Sequence, residues 1–333
     1  MTPTASAVHF VTGATGLIGG HLVRRLTGEG LRVRALVRAR SSVSALKDLG
    51  VELTLGDLCD AASVRHAMDG ASCVYHCGAL VSDWGARKSF QAANVEGTRH
   101  VAEAAVSQNV ERFVHLSSAA VYGYPRMELI GEHLPARSRR IPYIESKIAA
   151  EQIVWRAIEQ QGLPATVLRP VTVFGPGCQN YVGEVVRHLR KRSMVLLNGG
   201  RHVAGLAYVE NVVDAILSAS QSTQAIAQAM NVCDDSPVTW KEYVDRLADG
   251  IGAPRVRVSL PAPVAYALAV AMETAGKLMR RRRRPLLTRL MVLEWGQTQR
   301  YAICRARRLL GYSPRVPFEE AMSATIHWVN EHL

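Results

Sequence analysis

At 333 residues and 36.4 kDa, with 48% hydrophobic residues, the chain is long and apolar enough for a large buried core, which excludes a disordered or fibrous protein. No basic stretch precedes an apolar one at the N-terminus and no run approaches the roughly 18 apolar residues of a membrane span, so export and spanning are not predicted and a cytoplasmic protein is expected. The net charge of +12 is concentrated: from Arg255 to Arg315 fourteen Lys or Arg stand against two acids, Glu273 and Glu294, while the rest of the chain balances to zero.

Strand and helix patterns alternate from the start. Val8 to Thr12 reads as a short apolar strand, "TGATGLIGG" as a glycine turn, and Leu17, Ile18, Leu22, Val23 and Leu26 as the apolar face of a helix ending near Gly28 and Gly30. A second strand over 31–38, a helix over 41–50, a third strand over 51–58, a helix over 60–70 and a fourth strand over 72–80 follow. Residues 89–108 read as one long helix, and 112–123 as a strand carrying serines at its carboxyl end. Strands joined by helices predict an α/β protein with a doubly wound parallel sheet of Rossmann type. The rhythm becomes irregular after Phe174, predicting a dinucleotide-binding domain over 1–174 to which 203–232 returns, and a smaller substrate domain built from 175–202 and 233–333.

Gly13, Gly16 and Gly19 lie between strand and helix, where they allow a tight turn, backbone approach to a pyrophosphate and close helix packing, with the helix N-terminus favouring phosphate charge. Thr15, Leu17 and Ile18 complete that turn. An acid about twenty residues on would hold the ribose 2′-hydroxyl of NAD, yet Leu31 to Ser44 contains none. Arg38, at the end of the second strand, can instead grip a 2′-phosphate bidentately; NADP(H) is the preferred cofactor, with NAD(H) second. Arg34 and Arg40 read equally well as solvated edge residues.

In "IPYIESKIAAE" a spacing of four puts Tyr143 and Lys147 on one helical face, and Pro142 fits a helix start. A nearby ammonium is expected to lower the phenol's pKa, which is near 10 when free, and so equip Tyr143 to exchange a proton with a substrate oxygen while hydride moves to or from the nicotinamide. Ser118, at the end of the preceding strand, would hold that oxygen.

These segments together resemble the extended short-chain dehydrogenase/reductase superfamily across essentially the whole chain: "TGATGLIG" its cofactor fingerprint, "SSAAVYG" its serine segment and "YIESK" its Tyr-x-x-x-Lys. The resemblance implies that Asp57 and Leu58 meet the adenine, Gly78 and Ala79 pass the cofactor ribose, Lys147 also binds nicotinamide ribose hydroxyls, Pro170 and Val171 border the nicotinamide, and Asn94 stands behind the site. It also implies a homodimer. Nucleotide-sugar members carry an Arg-Asp pair that holds the substrate diphosphate; here Ala204 and Gly205 stand in those positions, with Arg201 the nearest replacement. The loop around Trp84 and the tail from Arg300 look like the 3β-hydroxysteroid dehydrogenase branch. The expected activity is therefore an NADP-preferring oxidoreductase interconverting a secondary alcohol and a ketone on a bulky apolar substrate such as a steroid or 3-ketoalkanoate. A nucleotide-sugar epimerase or reductase is the alternative enzyme, and a non-catalytic NADP-binding sensor the alternative of a different class.

Trp84 reads as a substrate wall or as a loop anchor, and His76 and His115 as satisfied structural histidines. Thr239 and Glu242 have capping-box spacing, and Gly311 reads as a helix stop. Apolar runs flank Arg280 to Arg284, so 255–315 is either an interfacial segment with arginines at anionic headgroups or a helical lid with a solvated arginine loop. No aromatic interleaving accompanies the arginines, and nucleic acid is not an expected partner. The six cysteines are scattered; Cys73 and Cys77 have poor metal spacing, no metal is predicted, and the thiols read as reduced core residues.

Overall fold

The computed structural model describes residues 7–281 and 283–333. Its first half repeats one unit: β1 (Val8–Thr12), α1 (Leu17–Gly28), β2 (Arg32–Val37), α2 (Ser44–Lys47), β3 (Glu52–Leu55), α3 (Ala61–Ala67) and β4 (Ala71–His76). After α4 (Arg87–Phe90) come α5 (Gly97–Ser107), β5 (Arg112–Leu116), α6 (Pro142–Gln161) and β6 (Ala165–Pro170). The chain then forms β7 (Thr172–Phe174), α7 (Val182–Arg190), β8 (Leu196–Leu197), β9 (Leu206–Tyr208), α8 (Val209–Gln221) and β10 (Ala229–Val232). The last stretch holds α9 (Trp240–Gly250), β11 (Ser259–Leu260), α10 (Ala262–Leu278), α11 (Arg289–Trp295), α12 (Cys304–Leu310) and α13 (Phe318–His332).

Seven strands pair in the order β10-β6-β5-β4-β1-β2-β3, all parallel. Both faces are covered by helices, so the central strands are buried along their whole length; β1 and β6 are buried at every position. The chain direction of the strand order reverses between β1 and β4, and a doubly wound sheet opens its ligand crevice at that reversal. The register fixes what lines it: Thr12 pairs with His76, His76 with His115, and Leu116 with Leu168, so the residues that follow these strand ends converge. A separate apolar core joins α7, α9, α10, α11 and α13, with Trp240 and Trp295 stacked 4.1 Å apart at its centre.

Several local expectations are revised by packing. The helix expected over 89–108 contains a π-helical turn at Gln91–Glu96, and the helix over 41–50 shortens to Ser44–Lys47. The strand expected over 112–123 ends at Leu116, because Ser118 caps a 3₁₀ turn over Ala119–Tyr122 by accepting from the Ala120 N–H. The Thr239–Glu242 capping box and the left-handed Gly311 helix stop are both present. Cys59 and Cys304 are exposed, which corrects the expectation that all the thiols are core residues.

Candidate active site

The glycine turn leaves no room for side chains. Gly13 takes φ +72°, and a Cβ there would lie 2.7 Å from the Gly78 backbone; a Cβ at Gly19 would lie 2.2 Å from the Gly13 carbonyl. The turn therefore seats α1 against β1 and brings the β1 and β4 ends together. Gly16 and Thr15 are exposed at the mouth, the start of α1 has no side-chain cap, and its first turn carries no acid, so free backbone N–H groups face the crevice. This donor set, with glycine where a side chain would block approach, fits a dinucleotide pyrophosphate. Gly78 packs on Leu58 and its N–H donates to the Thr12 hydroxyl at 3.1 Å. Asp57 accepts from the Cys59 N–H at 2.9 Å, and Ala79, Pro170 and Val171 stand at neighbouring strand ends on the same rim.

Three arginines near β2 separate cleanly. Arg34 is bound by Glu52 and by the Ala67 carbonyl, so it braces the sheet edge. Arg38 and Arg40 are exposed, and Arg38 alone immediately follows the β2 end that flanks the glycine turn.

Tyr143 occupies the second position of α6 behind Pro142, packs edge-on against Phe90, and shares a cleft with Trp84, Gly85, Ile141 and Lys277. Lys147, one turn on, is buried and donates to the Leu116 carbonyl at 2.7 Å. Its pKa falls to about 8 through burial, with Glu151 pulling it the other way. Burial raises the Tyr143 pKa, opposed by a side-chain hydrogen bond with Ser118 and reinforced by Glu294. The expected lowering by the ammonium is thus corrected in the protein alone: desolvation of the phenolate raises the pKa, and the ammonium is engaged by the Leu116 carbonyl instead.

Supporting residues hold this arrangement. Asn94, inside the π-turn, donates to the Leu80 carbonyl and to the Ser146 hydroxyl at 2.9 Å, accepts from the Leu80 N–H, and so couples the loop after β4 to the start of α6. Glu151 accepts from Ser117 at 2.6 Å and from Arg169, and Arg169 donates to the Tyr122 hydroxyl at 2.8 Å. This buried network ties α6 to the ends of β5 and β6. His76 bridges Thr12 and Thr98 and is held neutral, its pKa lowered to about 3 by burial and then by Lys147. His115 departs from expectation: both ring nitrogens are buried with no partner, and burial lowers its pKa far below the usual value. Trp84 lines the Tyr143 cleft, and its indole N–H donates to the Arg281 carbonyl at 3.2 Å, which anchors the loop after β4.

Two acids in this region escaped the sequence reading. Glu294 on α11 accepts from Thr172, close to Val171, and burial raises its pKa to about 7, with Asp83 adding to the rise. Asp83 accepts from Thr288 at 2.6 Å and from Arg284 at 2.7 Å, so the last member of the arginine run turns inward. Neither had a sequence signal: Glu294 sits in an apolar helix over 120 residues from Thr172.

Residues 9–233 match the model of the NAD dependent epimerase/dehydratase family. The chain belongs to that family. A 2-alkyl-3-oxoalkanoate reductase of Stenotrophomonas maltophilia is 31% identical, over 94% of this chain and 96% of its own length. A 3beta-hydroxysteroid-dehydrogenase/decarboxylase of Arabidopsis thaliana is 28% identical, over 95% of this chain and 78% of its own. The crystal structure of gox2253 superposes with a TM-score of 0.82 at 26% identity, covering 98% of this chain and 99% of that one. This family member is an oxidoreductase acting on CH–OH groups, in the branch that resembles 3β-hydroxysteroid dehydrogenases.

Proposed function

We propose that the protein is an NADP-preferring ketoreductase that reduces a bulky, mainly apolar 3-oxo compound to the secondary alcohol. The observation that carries this reading is the Ser118–Tyr143–Lys147 set at the carboxyl ends of the strands, from which Tyr143 lines a cleft with Trp84 and Phe90. The names of the relatives support the substrate class, and Arg38 at the β2 end supports NADP over NAD.

A bound nicotinamide would supply hydride to the carbonyl carbon. Ser118 and Tyr143 hydrogen-bond the carbonyl oxygen, and Tyr143 donates its phenolic proton to that oxygen as charge develops on it. A phenol kept protonated by burial suits the reductive direction, because the neutral form is the donor. Lys147 holds ribose hydroxyls and keeps a positive charge near the tyrosinate that remains, which solvent then reprotonates. At Gly205 a Cβ would meet Gln299 and Tyr301 at 3.0 Å, so residues of the tail occupy the place where nucleotide-sugar members carry their diphosphate clamp.

Tyr143→Phe is expected to lower kcat for ketone reduction by about 10²–10⁴ while NADPH affinity changes less than about threefold. Retained turnover would overturn the assignment, as would absence of NADPH oxidation with any 3-oxo acid or steroid ketone under wild-type conditions.

A further inference from the structure

Helix α10 is packed inside out. The residues it buries are Ala265, Ala269, Glu273 and Gly276, a narrow stripe in which only the Glu273 carboxylate is large, and that group is satisfied by the Arg289 backbone N–H and guanidinium at 2.7 and 2.9 Å. Its large apolar side chains point outward: Val264, Tyr266, Leu268 and Val270 are each 36–48% exposed, and Leu278 is 84% exposed. Among the described residues, eight of the thirteen exposed large hydrophobics fall between Val258 and Leu286, so the patch is concentrated on one feature. From Ala262 to Met272 the helix carries no charge. Water is a poor neighbour for such a face.

Cations border it. Arg257 precedes the helix, and Lys277, Arg280, Arg281 and Arg283 close its C-terminal end, all exposed; Arg282 lies outside the described residues. Among the described residues Arg257, Arg280, Arg281 and Arg283 have no carboxylate within salt-bridge range, whereas Arg284 is consumed by Asp83. A second copy seated on this face by a two-fold axis would oppose one cationic border to the other. A layer of anionic headgroups over acyl chains matches both features at once.

We propose that α10 is a membrane-docking helix that lies in the plane of an anionic bilayer, its Val264–Leu278 face among the acyl chains and the Arg257 and Arg280–Arg283 borders at the headgroups. The helix is about 25 Å long at 1.5 Å per residue, and among the described residues no helix is long and apolar enough to cross a membrane, so the contact is peripheral. Gly276 packs on the Trp84 ring, and α10 lends Lys277 to the Tyr143 cleft. On the function proposed above, the docked helix would put the cleft beside the lipid from which an apolar ketone enters; the docking itself is read without turnover.

The test is co-sedimentation of the full chain with vesicles of phosphatidylcholine alone or with about 30% phosphatidylglycerol. The protein is expected to pellet with the anionic vesicles, to bind at least about tenfold less well to phosphatidylcholine, and to be released by about 0.5 M NaCl. Leu268→Glu with Val270→Glu, and separately Arg280→Ala with Arg281→Ala and Arg283→Ala, should each cut binding at least about tenfold with the thermal midpoint unchanged. Tyr266→Trp fluorescence should be quenched by brominated acyl chains. Absence of pelleting, equal binding of the glutamate variant, or no quenching would overturn the proposal. So would a wild-type dimer that the glutamate variant converts to monomer, which would assign the face to a second copy.

Discussion

Lys147 and Tyr143 share one face of α6, yet the ammonium donates to the Leu116 carbonyl at 2.7 Å, and the side chain that opposes the rise in the phenol's pKa is Ser118. The lysine is therefore placed by the end of β5, and its charge is supported by Glu151 one turn further along the helix. A pKa of about 8 puts its titration within reach of a pH series on the folded protein.

From that placement, NADPH affinity should fall as pH rises through about 8, by up to about tenfold per pH unit above it, because the deprotonated amine loses its charge. Glu151→Gln removes the negative charge that raises the lysine's pKa, so the break in a plot of Kd against pH should move to lower pH. Fluorescence titration of NADPH between about pH 6 and 10 reads both, and a wild-type profile flat across that range would contradict the ionic role.

Glu294 makes the opposite kind of prediction. Burial raises its folded pKa to about 7 against 4.5 in the unfolded chain, so the native state binds the extra proton between those values. The cost of ionising it in place is absent below about 4.5, grows as pH rises and is complete above about 7. Glu294→Gln keeps the Thr172 hydrogen bond without the charge. It should gain on the wild type by about 1–3 kcal/mol between about pH 4.5 and pH 8, measured by urea unfolding at the two pH values. Because the carboxylate also raises the Tyr143 pKa, the alkaline limb of the kcat/KM profile should shift to lower pH in the same variant.

The buried pair of Arg169 and Glu151 links the β6 end to the helix that carries Tyr143 and Lys147. Removing one partner strands the other charge in the interior. Arg169→Met should therefore destabilise the fold by about 3–5 kcal/mol, more than Arg32→Met at the exposed pair with Glu52, which should cost about 1 kcal/mol or less. Differential scanning calorimetry of the two variants side by side gives the comparison.

On the function proposed above, cofactor choice turns on Arg38. Arg38→Ser should weaken NADPH at least about tenfold and leave NADH within about twofold, since only the 2′-phosphate uses the guanidinium. Equal losses for both dinucleotides would mean that the arginine serves the fold or the shared part of the cofactor.

The alternation of strands and helices, the glycine turn and the Tyr143–Lys147 spacing were legible in the sequence because each depends on neighbours within about thirty residues, where periodicity and backbone preference act directly. The same locality explains the misses. A spacing of four places Tyr143 and Lys147 together but says nothing of what desolvates them, and the resulting shift in Tyr143 runs opposite to the one expected from the pair alone. The π-turn at Gln91–Glu96 follows from the contacts of Asn94 with Leu80 and Ser146, which come from two other segments. Likewise the inward turn of Arg284 to Asp83, the Glu294 carboxyl at Thr172 and the outward face of α10 were settled only by tertiary packing. Burial and long-range charge are properties of the assembled volume; a one-dimensional pattern reports which side chains can be buried, and the fold decides which ones are.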